Sequence, residues 1–338
     1  MTRTRHDLAQ DFLATTDWRD ATRVPLAGDA SNRRYDRIIA DGLPPAVLMD
    51  APPEKGEDVR PFTAIARHLT SLGLSAPTIY AEDIAHGFLL IEDLGDDLFA
   101  RVVKARPELQ KRLYQTAIDA LIIAQQAKPP VLAPYDAKAM ATTAMLLTDW
   151  YLPHGTGRAT SDSTRREFDR LVSDMLARNM TDDVVLVQRD YHAENLLWLP
   201  RREGAARVGL LDFQDAMLGH PAYDLASLLK DARRDVDPHV QRDMLRYYIA
   251  QTGADAAKFP AAYAACSAQR NLRIMGGFAR LCVRGGKPNY PNLMPRVWGN
   301  LVDDLAHPAL KELRYFIETH VPAPSVDVIA RIKAAAHG

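Results

Sequence analysis

The spacing of apolar residues changes near residue 95, and this change constrains the fold more than any other feature of the sequence. From about residue 22 to residue 95 the apolar residues form short β-prone runs separated by turn residues. The predicted strands are 23–26, 35–39, 46–49, 78–82 and 88–91. Between the third and fourth strands, helical spacing from Val59 to Leu69 predicts one inserted helix. We therefore expect a five-stranded antiparallel sheet with one helix in this part of the chain.

Beyond the sheet region the apolar residues recur at three- and four-residue intervals, which is typical of helices. The predicted helices are 109–127, 137–151, 165–179, 240–251, 256–283 and 310–320. Short apolar runs at 184–187, 196–199 and 208–211 predict a little β structure among them. The fold class expected is α+β with two lobes: a small sheet lobe, residues 1–95, and a larger, mainly helical lobe, residues 96–338.

Composition places the chain among ordinary globular proteins and limits its partners. It has 338 residues, of which 47% are apolar and 25% charged, with 42 basic and 43 acidic side chains. This balance gives no overall field for nucleic acid or an anionic membrane, and no segment reaches the ~20 apolar residues of a spanning helix. No sequence feature calls for an obligate protein partner.

The cysteines and the start of the chain indicate a cellular compartment. Cys266 and Cys282 lie in apolar helical sequence without a paired spacing, so we expect buried free thiols. The first residues lead into an amphipathic pattern and not into the apolar run of a secretory leader. A cytoplasmic protein is the expectation.

The densest polar cluster runs from Gln188 to Asn195 between two apolar runs, and Asp212 directly follows a third. A carboxylate five positions before an amide, with a second carboxylate on the next hairpin, suits phosphoryl transfer. One carboxylate accepts the proton of an attacking hydroxyl, while the amide and the other carboxylate offer hard oxygen ligands to Mg²⁺. Taken alone, Asp190 or Asp212 is read as a turn cap. Their joint placement favours a site with a base and a metal.

These residues resemble the aminoglycoside phosphotransferase and choline kinase family, small-molecule kinases with a protein-kinase-like fold. The family's catalytic loop corresponds to residues 188–195, with Gln188 in place of its first His, and a Gly-x-Pro-x-x-Asp-Leu-Ala stretch corresponds to 219–226. The resemblance implies ATP as phosphate donor and Mg²⁺ as cofactor. The implied roles are catalytic base for Asp190, metal ligands for Asn195 and Asp212, and, for Asp224, anchoring the catalytic loop through backbone N–H groups.

The resemblance also implies where ATP binds. The hairpin 27–32 matches the family's glycine-containing loop over the phosphates, and residues 89–95 match the segment linking the lobes, where backbone groups meet adenine. The residues assigned to ATP on this basis are Gly28, Ser31, Asn32, Glu92 and Leu94.

One family feature is missing from the ATP site. Met49 stands where the family places a Lys on the third strand, and the helix at 60–69 has no Glu to pair with such a Lys. Arg33 and Arg34, just after the phosphate loop, are the predicted replacement cations. The alternative for both arginines is that they are exposed charges on a strand and do not contact phosphate.

The tracts 28–35, 50–53 and 269–273 look most like the bacterial sugar-kinase branch of the family. Its members phosphorylate the anomeric hydroxyl of N-acetylmuramate and N-acetylglucosamine in cell-wall recycling, so the resemblance implies a sugar 1-kinase. Candidate substrate contacts, with hydrogen bonding inside the loop as the alternative, are His192, Glu194, Gln214 and Asp215. Candidate partners for a lactyl carboxylate, with a solvated helix face as the alternative, are Arg270, Arg273 and Arg280.

Two other functions stay open at this point. One is a kinase for a different small alcohol, such as an amino alcohol, homoserine or an aminoglycoside. The other is a nucleotide-binding pseudokinase, which the missing Lys and Glu would allow. The retained base and metal residues argue against the pseudokinase.

Overall fold

The computed structural model describes residues 3–26 and 32–336. These residues form nine β-strands and thirteen α-helices. The strands are β1 (Thr22–Pro25), β2 (Arg34–Ile39), β3 (Ala46–Asp50), β4 (Ile79–Asp83), β5 (Phe88–Glu92), β6 (Val185–Val187), β7 (Leu196–Trp198), β8 (Val208–Leu210) and β9 (Met217–Gly219). The helices are α1 (Arg5–Ala14), α2 (Arg60–Ser71), α3 (Phe99–Ala105), α4 (Gln110–Gln126), α5 (Ala137–Ala144), α6 (Leu152–Thr156), α7 (Asp162–Asn179), α8 (Ala222–Leu229), α9 (Pro238–Thr252), α10 (Phe259–Val283), α11 (Met294–Leu305), α12 (Lys311–His320) and α13 (Val326–Ala334).

The chain divides into two compact units. Unit 1 comprises Met1–Pro107 and Glu194–Ala216, and unit 2 comprises Glu108–Ala193 and Met217–Gly338. The β7–β8 hairpin thus belongs to unit 1, although it comes late in the sequence. The lobes predicted from sequence, 1–95 and 96–338, are continuous segments, and that division stays a prediction.

A five-stranded antiparallel sheet forms the centre of unit 1, as predicted. Its strand order is β1-β2-β3-β5-β4, and α2 is the helix inserted between β3 and β4. Successive side chains of a strand point to opposite faces. Ala46 and Leu48 of β3 therefore enter a core with Phe12 of α1 and Phe88 of β5, whose rings stack with 5.8 Å between centroids. The intervening residues of β3 face the other side of the sheet, where the cavity described below lies.

The β7–β8 hairpin brings two distant pieces of the sequence together within unit 1. Leu196 pairs with Leu210, and the Leu211 N–H donates to the Asn195 carbonyl at 3.0 Å. The Leu210 N–H also donates to the Ser75 carbonyl at 2.9 Å, which ties the hairpin to the segment after α2. The residues at the open end of the hairpin are therefore held next to each other.

Unit 2 is helical around the long and mostly buried α10. This helix packs against α5, α7, α8 and α11. It approaches the chain at Leu146 so closely that a Cβ on Gly276 would lie 2.0 Å from the Leu146 carbonyl carbon, which only glycine permits. Cys266 and Cys282 are buried free thiols in α10, as predicted. Burial raises the pKa of the Cys266 thiol to about 12.

Six of the helices, α1, α3, α6, α8, α11 and α13, lie outside the ranges predicted as helices from the sequence. The predicted helix 137–151 ends as α5 at Ala144 before a π-helical turn. In the part of the chain that the structure describes, none of the helices combines the length and apolar character needed to cross a bilayer.

Candidate active site

A cavity of about 250 Å³ lies within unit 1, against the sheet face opposite the α1 core. Its apolar lining consists of Leu26, Val47, Met49, Phe62, Pro77, Ile91, Leu94, Leu197 and Leu211. Two hydrogen-bonded polar groups also line it: Arg37 with the acidic residues after β5, and Asn195 with Asp212 and Gln214. A mostly apolar cleft with a few convergent polar groups is the usual form of a small-molecule site.

Asp212 is held in place by two amide side chains. The Asn195 Nδ2 donates to the Asp212 Oδ2 at 3.2 Å, and the Gln214 Nε2 donates to the Asp212 Oδ1 at 2.7 Å. The backbone of Asp212 has φ = 58°, a left-handed conformation that non-glycine residues rarely adopt. Such backbone conformations persist at functional sites when the surrounding structure enforces them. The two predicted metal ligands thus lie side by side, and the predicted substrate residue Gln214 contacts one of them.

The donor set of this group fits Mg²⁺ in character. A carboxylate and an amide provide hard oxygen ligands, which Mg²⁺ prefers. Among residues 3–26 and 32–336, no three His, Cys, Asp or Glu side chains gather as a metal cage. Mg²⁺ is usually bound by one or two carboxylates and completes its shell with phosphate oxygens and water.

The segment predicted to meet adenine borders the same cavity. Leu94 lines it, and among the described residues its backbone N–H donates to no other group. The Glu92 side chain is occupied elsewhere: its Oε2 accepts from the Thr78 hydroxyl at 3.1 Å, and its Oε1 accepts from Arg202. The Glu92 side chain is therefore engaged within unit 1, whereas the Leu94 N–H is available to a ligand in the cavity.

Arg37 is a cavity residue that the sequence analysis missed. Its Nε donates to Asp93 at 2.5 Å, and its Nη2 donates to Asp96 at 3.0 Å. The hydrogen bonds that it donates to Asp96 and Asp93 raise the pKa of this guanidinium. Alternation along β2 was the available signal, because it sets Tyr35 and Arg37 on the same face of the sheet.

The structure separates the two arginines that were predicted to replace the family's Lys. Arg33 is half-buried and its Nε donates to Glu57 at 2.8 Å, whereas Arg34 is exposed at the start of β2. Burial lowers the pKa of Arg33, but Tyr35 and Glu57 together raise it above its usual value. The Asn32 N–H also donates to Glu57, at 3.1 Å. The other two residues assigned to the phosphate loop, Gly28 and Ser31, lie outside the described residues.

In unit 2 the loop after β6 is anchored by Asp224, as the family resemblance implied. The carboxylate, in the first turn of α8, accepts the Gln188 N–H at 2.6 Å and the Arg189 N–H at 2.8 Å. Burial raises the pKa of Asp224 to about 7, against the opposite effect of these two hydrogen bonds. Arg189 has φ = 72°, so the loop reaches Asp190 through a second left-handed, non-glycine residue.

The candidate substrate residues on this loop differ in exposure. Asp190 is half-buried, and its carbonyl accepts the His192 N–H at 3.1 Å. His192 is only 4% exposed and its Nε2 lies 3.1 Å from the Arg233 Nη1. Burial lowers the pKa of His192 to about 4, so the ring is neutral and accepts this hydrogen bond. The other two candidates, Glu194 and Asp215, are exposed in unit 1.

The fold is shared with known kinases of small molecules. The choline kinase LicA from Streptococcus pneumoniae superposes with a TM-score of 0.61 at 15% identity, covering 88% of this chain and 99% of that one. The streptomycin–ATP–APH(2")-IIa ternary complex superposes with a TM-score of 0.57 at 16% identity, covering 81% and 91%. These likenesses confirm the predicted α+β, protein-kinase-like fold.

Comparison of the amino-acid sequence with those of known proteins shows relationships closer than a shared fold. This chain is 38% identical to the N-acetylmuramate/N-acetylglucosamine kinase of Caulobacter vibrioides, over 92% of this chain and 95% of that one. Residues 22–260 match the model of the phosphotransferase enzyme family, a span that contains the cavity of unit 1 and the anchored loop of unit 2. The chain therefore belongs to the phosphotransferase enzyme family.

Proposed function

We propose that this protein is an ATP-dependent kinase that phosphorylates N-acetylmuramate and N-acetylglucosamine in cell-wall recycling. The observation that carries the proposal is the 38% identity to a curated kinase of that name over nearly the full length of both chains. The structural likenesses, at 15% and 16% identity, support only the fold.

The cavity of unit 1 supports nucleotide binding. Its walls, among them Val47, Ile91 and Leu211, form an apolar slot of the kind that a planar base fills. The Leu94 N–H at its edge donates to no group in the described chain and suits a ring nitrogen of adenine. A solved structure of similar fold was determined as a complex with ATP, which supports ATP as the donor.

Asn195 and Asp212 are the residues that would hold Mg²⁺. When bound there, the ion would neutralise charge on the transferred phosphate. The two amides that contact Asp212 keep its carboxylate oriented. A preorganised ligand of this kind needs little rearrangement when metal and nucleotide arrive.

Asp190 is the proposed base. It would accept the proton of the acceptor hydroxyl as the oxygen attacks phosphorus. The loop that carries it is held by the Asp224 carboxylate, which binds two consecutive backbone N–H groups. Gln188, where the family has a His, contributes its backbone to this anchor.

The acceptor group proposed is the anomeric hydroxyl, so the product is a sugar 1-phosphate. Such a product no longer reduces mild oxidants because its anomeric carbon is locked, whereas a 6-phosphate still does. A reducing-end assay, with phosphorus NMR to detect coupling to the anomeric proton, identifies the site of transfer. The 1-O-methyl glycosides should not turn over, and their brisk phosphorylation would refute anomeric transfer.

The alternatives are separated by one panel. ADP release with Mg-ATP is measured against the two amino sugars, choline, ethanolamine, homoserine and an aminoglycoside. The proposal expects turnover on the amino sugars at least about tenfold more efficient than on any other acceptor. Preference for another acceptor in the panel would indicate a kinase for a different small alcohol. ATP binding without turnover on any acceptor would indicate a pseudokinase.

A further inference from the structure

Two arginines of α10, Arg270 and Arg273, are buried or half-buried in unit 2. Arg270 is only 2% exposed, and its Nη1 donates to the Lys230 carbonyl at 3.3 Å. Arg273, one helical turn further on, is half-buried. In the described part of the chain the Nε atoms of both arginines have no hydrogen-bond partner. Within the described residues neither guanidinium forms an ion pair with a carboxylate. Three residues of spacing set the two on the same side of the helix.

The described carboxylates that act on this pair do so without forming an ion pair with it. Burial lowers the pKa of Arg270 most, and the positive charge of Arg273 also lowers it, so the two guanidinium groups repel each other; Tyr223, Asp231 and Asp190 act in the opposite direction. The pKa of Arg273 is raised, chiefly by the Tyr223 hydroxyl against the effect of burial, and then by Tyr135 and Asp190. Asp190 raises the pKa of both arginines, so its carboxylate lies within electrostatic reach of the pair. Arg233, at the His192 ring, adds a third positive charge to this part of unit 2.

A buried cation without an ion-pair partner is unfavourable, and an anionic ligand that pairs with it reduces that cost. A guanidinium binds a carboxylate particularly well because its planar N–H groups match both carboxylate oxygens. Arg273 is the better placed of the two for direct contact because it is half-buried, whereas Arg270 is enclosed.

We propose that Arg273, supported by the buried charge of Arg270, binds a carboxylate of the acceptor beside Asp190. The inference rests on the proposed function and adds a preference within it. Of the two proposed acceptors only N-acetylmuramate carries a carboxylate, on its lactyl group. Arg273 would therefore raise the efficiency of the enzyme for N-acetylmuramate relative to N-acetylglucosamine.

Arg280, the third arginine of α10 considered from the sequence, is exposed near the end of the helix. It supplies a matched control, since it lies on the same helix with the same charge. The other control is chemical: the methyl ester of N-acetylmuramate keeps the lactyl group and lacks its charge.

The experiment measures kcat/KM for both sugars and the ester with the full-length wild type, Arg273→Gln, Arg273→Lys and Arg280→Gln. In Arg273→Gln the ratio of N-acetylmuramate to N-acetylglucosamine efficiency should fall by about 10- to 100-fold, the loss expected for one charge-assisted contact. Arg273→Lys should recover part of the ratio, and Arg280→Gln should keep it. The ratio of ester to N-acetylglucosamine should be the same in wild type and Arg273→Gln.

Three results would overturn the carboxylate site. An unchanged ratio in Arg273→Gln means that Arg273 does not contact the carboxylate. Equal losses on both sugars would instead make it a residue that positions Asp190. If Arg273→Gln does not fold, two other measurements exclude the site together. One is an unchanged ratio in Arg273→Lys, and the other is equal efficiency of the wild type on the ester and on N-acetylmuramate.

Failure of the proposed function looks different. In that case the wild type phosphorylates neither sugar, and calorimetric titration of N-acetylmuramate and of its methyl ester then tests the site alone. Binding of the acid at least about tenfold tighter than the ester would support it. Equal binding, or none, would overturn it.

Discussion

Asn195 and Asp212 are hydrogen-bonded to each other, with the Asn195 Nδ2 3.2 Å from the Asp212 Oδ2. The β7–β8 hairpin lies between them in the sequence, and antiparallel pairing of Leu196 with Leu210 brings its two ends together. The Ser75 carbonyl also accepts the Leu210 N–H, so this part of the proposed metal site depends on the hairpin and on the segment that follows α2. Gln214 then holds the second carboxylate oxygen of Asp212.

Replacement of Asp212 should weaken binding of the metal–nucleotide complex without weakening binding of adenosine. In Asp212→Ala the Kd of Mg-ATP should rise at least about tenfold, while the Kd of adenosine stays within about twofold, because the lost carboxylate would bind metal and not adenine. Isothermal titration calorimetry measures both. Asp20→Ala, an exposed position of unit 1, is the control. Equal Mg-ATP binding by wild type and Asp212→Ala would contradict the assignment.

Replacement of Asp190 should act on turnover. Asp190→Asn should lower kcat by roughly a hundredfold or more, because a positioned base contributes ~10²–10⁴ to the rate. The Kd of Mg-ATP should change little, since Asp190 is not assigned to the nucleotide. Exposed Asp182→Asn on the same unit is the control. Retention of more than about a third of the wild-type kcat would remove Asp190 from the role of base.

The Asp224 anchor should stabilise unit 2 as well as the catalytic loop. Asp224→Ala leaves the buried Gln188 N–H and the partly buried Arg189 N–H without this acceptor, and a buried group left unpaired costs about 1–3 kcal/mol. We expect the free energy of unfolding in urea to fall by about 2–5 kcal/mol. Ser227→Ala, one turn further along α8, removes only a 3.4 Å contact to the Arg189 carbonyl and should cost less than about 1 kcal/mol. Similar losses in the two variants would show that the anchor contributes little.

The Arg33–Glu57 pair offers a test of how the missing Lys is replaced. Arg33→Ala should raise the KM for ATP by about tenfold, the effect of one charge-assisted contact. In Arg34→Ala the KM should stay within about twofold of wild type because that side chain is exposed.

Met49→Ala should alter packing and leave the KM for ATP within a few fold. If Glu57 orients Arg33, Glu57→Gln should raise the KM in wild type and not in Arg33→Ala. A normal KM in Arg33→Ala would exclude this arginine as the phosphate cation.

His220 should make stability depend on pH. Its Nδ1 accepts the Ala222 N–H at 3.1 Å, which requires an unprotonated nitrogen, and burial lowers the pKa of the ring from 6.5 to about 4. The unfolded chain therefore takes up the proton first as pH falls. The stabilisation is complete above pH 6.5 and is lost as pH falls towards 4.

Urea unfolding at pH 7 and pH 5 measures this effect. Between these pH values the wild type should lose about 2 kcal/mol more than His220→Asn, whose side-chain oxygen still accepts the Ala222 N–H without titrating. Exposed His6→Asn should behave like the wild type. An equal pH dependence in wild type and His220→Asn would refute the assignment.

The structural features that the sequence predicted correctly are local ones. The five strands of unit 1 and α2 follow from runs and periods of apolar residues, because alternation and helical spacing report which side of an element is buried. The helices α11 and α13 were missed although both have a clear apolar face, so their apolar spacing was an available signal. The anchoring role of Asp224 was available only through the family motif, and its two hydrogen bonds are present.

The sequence by itself determined which chemical groups are present. These are the acidic and amide side chains of the loop 188–195 and the carboxylate of Asp212 after the next hairpin, and the resemblance to a family assigned their roles. Arg33 and Arg34 are adjacent in sequence, and only the tertiary structure distinguishes them. Arg33 forms an ion pair with Glu57, whereas Arg34 is exposed. The same holds for Arg37 with Asp93 and for Arg270 beside Arg273, where burial and long-range contact set the charge balance. A sequence records charges one by one, whereas their energies depend on the distances and burial that folding creates.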